Sequence, residues 1–135
     1  MPRPSTHELL KDAVLNPPAS EEAIRSAASA LGISLPSDYA EFLRRHNGGE
    51  GFAGNNSVIL FKAEELKPFN DAYQLSEYAP GLILFGSNGG GEGYAFDTRE
   101  GAMSVVRVPF IGMELRYARP IGKSFTDMLC QLGKA

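Results

Sequence analysis

A chain of 135 residues, 43% apolar and 21% charged, is long enough to bury a core as one domain and too apolar to stay disordered. Its net charge of -3 weighs against nucleic acid as a direct partner, since phosphate recognition needs a basic patch. Its single cysteine, Cys130, excludes an internal disulfide, and with no long apolar run near the start the expectation is a cytoplasmic protein.

Ser5 and Glu8 have capping-box spacing, which predicts a short helix over His7 to Leu15, broken by Asn16-Pro17-Pro18. A second helix is expected after Ser20. Glu21 and Glu22 would sit in its first turn, where the helix dipole favours negative charge. Ile24, Ala27, Ala28 and Leu31 recur at helical spacing as one buried face, and Gly32 is the stop. The third helix is carried by LPSDYAEFLRRHNGG, Leu35 to Gly49. Pro36 suits the first turn, with Ser37 or Asp38 as the cap. Tyr39, Phe42, Leu43 and His46 share a face, and Asn47-Gly48-Gly49 ends the helix.

From Asn55 the period shortens. Ser57 to Phe61 reads as a strand, Lys62 to Tyr78 as one or two helical turns interrupted by Pro68, and Leu82 to Phe85 as a central strand. Gly93 to Asp97 and Met103 to Val108 are further strands, and Glu114 to Ala118 a fifth. Ser124 and Asp127 cap a last helix that buries Phe125, Met128, Leu129 and Leu132. The expected fold is a single α+β domain with N-terminal helices, a mainly antiparallel central sheet and a C-terminal helix. Residues 1–19 would form an N-terminal segment with a short helix, and residues 20–135 the domain proper.

Catalytic chemistry is sparse. His46 on an apolar helix face reads as a satisfied histidine, and Cys130 beside Met128 and Leu129 as a small buried hydrophobe. Metal-binding and nucleophile motifs are missing, so no catalytic, metal or cofactor residue is assigned. The stretch Gly86 to Gly93, GSNGGGEG, could cradle a phosphate. However, it lacks the lysine and following helix of a P-loop and carries Glu92, so a hairpin loop is the simpler reading. Gly48 to Gly54 reads as a second loop, long enough to serve as a binding surface. Acid groups and tyrosines around these loops suggest a contact surface for a basic protein. The candidates are Glu50, Asp71, Glu77, Tyr78, Glu92, Tyr94 and Asp97.

Three segments in order carry a resemblance. The first is Leu35-Pro36-Ser37-Asp38-Tyr39 with Phe42-Leu43 and Asn47-Gly48-Gly49. The second is Leu82 to Gly86 with Gly89 to Asp97. The third is Ser124-Phe125 with Met128-Leu129. Together they span about Ala23 to Leu132, and the chain resembles the SUKH superfamily, which includes fungal Smi/Knr cell-wall regulators and bacterial immunity proteins. It departs from that pattern in having Glu92 where the family often has aspartate, and in having no tryptophan near the first strand, where Phe61 stands. The resemblance implies a domain that works by binding protein rather than by catalysis. Its partner would be a bacterial toxin of nuclease or deaminase type, with no direct nucleic acid and no membrane. A regulatory scaffold of the Smi/Knr type is the alternative, and a nucleotide binder using the Gly-rich hairpin a weaker one.

Overall fold

Ser20 and Gly32 bracket a helix as their chemistry dictates. The structure, a computed structural model, describes residues 9–99 and 101–134. In it the Ser20 side chain accepts from the Ala23 N–H at the start of α1 (Glu21–Leu31), and Gly32 closes that helix at φ 70°. Ile24 and Ala27 are its buried residues. Helix α2 (Ser37–Arg45) follows, with Pro36 at its cap position and Tyr39, Ala40, Phe42 and Leu43 buried.

The expected helix over His7 to Leu15 does not form across the part that is described; its Ser5, His7 and Glu8 lie outside the described residues. Lys11–Leu15 is instead strand β1, paired antiparallel with β2 (Gly49–Ala53). A bulge at Asp12, which stands at φ 49°, lets five residues face four and keeps the pairing. So short a segment gains more from a strand partner than from one helical turn.

The remaining strands are β3 (Asn56–Leu60), β4 (Leu82–Ser87), β5 (Glu92–Asp97), β6 (Ser104–Pro109) and β7 (Arg119–Gly122). They form one sheet in chain order, and every neighbouring pair is antiparallel. Gly48 to Gly54 is therefore not a loop: it supplies β2 and the turn into β3. Glu114 to Ala118 is not a strand either. It contains a 3-10 turn at Leu115–Tyr117, and the strand comes after it at β7.

Between β3 and β4 the chain makes α3 (Ala63–Ala72) and α4 (Leu75–Tyr78). The helix is longer than its proline suggests. Pro68 removes one backbone donor without ending α3, because Leu66 and Asn70 on either side are buried and hold it in place. The last helix, α5 (Phe125–Gly133), starts as its sequence predicts: the Ser124 hydroxyl accepts from the Asp127 N–H at 3.0 Å. Asp127 in turn accepts from Lys123 N–H at 2.8 Å, one residue before the cap.

Tyr39 of α2, Phe85, Phe96 and Phe125 of α5 form one aromatic cluster, with Tyr39 5.2–5.4 Å from each of the other three rings. Burial pushes the Tyr39 phenol well above its ordinary pKa. On the other face of β5, Phe110 lies against Gly93, and Tyr73 stacks on Phe110 at 4.3 Å.

The seam between β3 and β4 is narrow, with only Ile59↔Ser87 and Leu60↔Gly86 in register. Where β3 leaves, the buried Asn70 of α3 takes its place. Its Oδ1 accepts from Leu84 N–H at 2.8 Å and its Nδ2 donates to Leu84 O at 2.9 Å. One side chain thus satisfies both polar groups of a central-strand residue.

Candidate functional site

Helix α2 works from both ends. At its start, Asp38 Oδ2 accepts from the Thr126 N–H at 2.9 Å and the Thr126 hydroxyl at 3.0 Å, which caps α5 across 88 residues of sequence. At its end, Asn47 Oδ1 accepts from Ala63 N–H at 2.7 Å and its Nδ2 donates to Glu64 at 2.6 Å, which caps α3. That hydrogen bond from Asn47 holds the Glu64 carboxyl below its usual pKa. His46 lies between these anchors and Asn16, its Nδ1–H donating to Asn16 O at 3.1 Å. The LPSDY and HNGG segments are thus structural ties, and sequence reasoning had given Asp38 only a local role.

The Gly-rich hairpin uses its own donors. Asn88 Oδ1 accepts from Gly90 and Glu92 N–H, and the Ser87 hydroxyl accepts from Gly89 N–H. Three of the amides a phosphate would need are already bonded within the loop. Glu92 at its base receives Asn88 Nδ2 at 3.1 Å and makes a loose ion pair with Arg107 at 3.4 Å. The arrangement favours a self-closed hairpin over an anion cradle.

The seven candidate contact residues do not form one patch. Tyr94 is 1% exposed; its hydroxyl donates to Ser57 O at 3.0 Å and burial pushes its pKa to about 12, which removes it from a partner's reach. Asp97 is held by Arg99 through paired contacts of 2.8 and 2.9 Å, and this partner lowers its pKa. Glu50 is exposed on the outer face of β2, beside Phe52. Asp71, Glu77 and Tyr78 do come together, at the corner between α3 and α4. There Asp71 is paired with Lys67 at 2.8 Å, whereas Glu77 is exposed with no ion-pair partner among the described residues. Tyr78 is 50% exposed and Tyr73, five residues earlier in the chain, 39%. Ile111, 93% exposed, follows the Phe110 ring on which Tyr73 stacks. Sequence reasoning singled out neither Tyr73 nor Ile111, whose exposure follows from the β6–β7 turn.

An open groove of about 480 Å³ runs between β7 and α5, lined by Ile121, Lys123, Asp127 and Gln131 among others. Its carboxylate is engaged: Asp127 accepts from Lys123 N–H and from Gln131 Nε2. Among the described residues no three His, Cys, Asp or Glu side chains gather to hold a metal. Nor is any of their helices long and apolar enough to cross a membrane.

Residues 18–131 match the model of the SMI1/KNR4 family, also named SUKH-1. The chain belongs to that family. The match takes in α1 through α4, α5 as far as Gln131, and every strand except β1. The SUKH-1 chain is also similar to the uncharacterized protein YnaB of Bacillus subtilis, at 32% identity over 83 residues. That alignment covers 62% of this chain and 53% of YnaB, so the chain corresponds to about half the length of this relative.

Proposed function

We propose that this SUKH-1 domain is a non-enzymatic binding protein, an immunity protein that neutralises a toxin by covering a basic surface of it. The observation that carries the reading is the α3–α4 corner. Two half-exposed tyrosines and Ile111 offer apolar anchors, and the Glu77 carboxylate there has no ion-pair partner among the described residues. Aromatic anchors ringed by charge are the usual source of binding energy and steering in such contacts. Family membership supports the reading, as does a Gly-rich hairpin whose amides are spent on its own side chains. The scaffold alternative would use the same corner for a different partner, so the test must name a toxin.

The direct test is co-expression with a toxin-like protein encoded beside its gene, and the lack of such a neighbour counts against the reading. Wild-type chain should restore growth and bind the purified toxin in a calorimeter. Tyr78→Ala and Glu77→Lys should each weaken that binding about tenfold or more. No protection, or binding by both variants as tight as that of the wild-type chain, defeats the proposal.

A further inference from the structure

Among the described residues nothing covers the outer face of β1–β3, and its pattern is self-complementary. Directly opposed residues of an antiparallel pair project to the same side of the sheet. The pairs Lys11↔Phe52 and Val14↔Glu50 therefore place all four side chains on one face, and Glu50↔Ile59 adds Ile59 to it. The bulge at Asp12 is what keeps Lys11 and Val14 on this side, while Ala13 turns inward against Gly51. Val14 is 73% and Phe52 44% exposed. Neither Lys11 nor Glu50 has an ion-pair partner among the described residues. Among the described residues this face thus has an apolar centre, with the cation of Lys11 and the anion of Glu50 on two adjacent strands.

We propose that this face is a two-fold symmetric contact with a second copy of the chain. In an isologous interface the contact of residue i with j is repeated as j with i. Lys11 of each copy then meets Glu50 of the other, with Phe52 and Val14 packed near the axis. A single cation or a single anion on the patch would repel its own copy across such an axis, but one of each on the same patch does not. The contact is small. Three strands of five residues cover roughly 14 by 17 Å, below the 600 Å² or so per partner of stable dimers. The dimer is therefore weak, populated at high micromolar concentration, and weakened by salt.

Sedimentation velocity of the full chain from about 10 μM to 1 mM tests it. The average mass should rise from 14.6 kDa towards twice that value as concentration increases. Lys11→Glu and Glu50→Lys, each alone, replace both attractive pairs by repulsive ones and should weaken association at least about tenfold. The double exchange, Lys11→Glu with Glu50→Lys, restores opposite charges and should recover the wild-type constant. Both charged positions are exposed, and circular dichroism checks that the three variants fold. A wild-type chain that stays monomeric at 1 mM overturns the proposal and leaves the face to another partner. A dimer indifferent to the single exchanges, or not recovered by the double one, overturns it as well, because association then uses a different surface.

Discussion

Gly48 and Gly90 lie in glycine-rich stretches of similar composition, but they meet different surroundings. A Cβ on Gly48 would stand 2.5 Å from Leu60 O and 2.7 Å from Phe61 O, and its backbone is at φ 78°. A Cβ on Gly90 would meet only the Asn88 side chain, at 3.6 Å, with no left-handed backbone to strain. The first glycine lets β2 and the end of α2 close against β3. The second is one of several residues that would serve at a hairpin tip. Gly86 belongs with Gly48, since its Cβ would stand 2.4 Å from Ile59 O on the opposite side of the same strand. Glycine content alone therefore does not mark a flexible loop; what decides is whether another backbone lies within reach of the missing side chain.

The largest expected effect tests this directly. Gly48→Ala adds both a backbone clash and left-handed strain, and should lower stability by more than about 3 kcal/mol. Gly90→Ala should stay within about 0.5 kcal/mol of wild type. Urea denaturation of the two variants measures the gap. Equal midpoints would break the comparison, because Gly48 would then be as free as the hairpin tip.

Asn70 sharpens the same contrast on the other side of the seam. Gly48 and Gly86 make room for β3, whereas Asn70 fills in where β3 has ended. Asn70→Leu keeps the volume but leaves Leu84 N–H and O unpaired in the core. Each of the two orphaned groups costs about 1–3 kcal/mol, so the expected loss is about 2–6 kcal/mol. Hydrogen exchange at the Leu84 amide should accelerate along with that loss. A variant as stable as wild type would mean that the β3–β4 seam closes without the side chain.

Elements with strong local signals were legible in the sequence. Ser20 with Gly32, and Ser124 with Phe125, Met128, Leu129 and Leu132, gave α1 and α5 with their buried faces. The central strands were legible too, because Leu82 to Phe85 and Gly93 to Asp97 are apolar runs between turns. What was not legible depends on partners distant in sequence. Lys11–Leu15 is a strand only because β2 lies beside it, and Gly49–Ala53 is one only because β1 and β3 flank it. The site followed the same rule. Glu77 and Tyr78 were legible as a local acidic and aromatic pair. The burial of Tyr94 was not, because it rests on Gly86 and Ser57, eight and 37 positions away. The capping of α5 by Asp38 was hidden for the same reason.

The smallest effect concerns acid, and it belongs to the Gly48 side of the comparison. Asn47, beside Gly48, donates to Glu64 and lowers its pKa, with a further contribution from the Glu64 backbone. A carboxyl that holds its proton less tightly when folded stabilises the fold above its unfolded pKa of about 4.3. That stabilisation is lost as the pH falls through the lower, folded value. Glu64 is largely exposed, so the change is small and is best read at the carboxyl itself. A carbon-13 titration should place the Glu64 midpoint below that of an ordinary glutamate, and Asn47→Ala should move it up towards the ordinary value. Gly90→Ala, at the hairpin tip, should leave it where it was. A Glu64 midpoint unmoved by Asn47→Ala would detach the α2–α3 tie from the residue that ends α2, and with it the claim that HNGG is a structural junction rather than a loop.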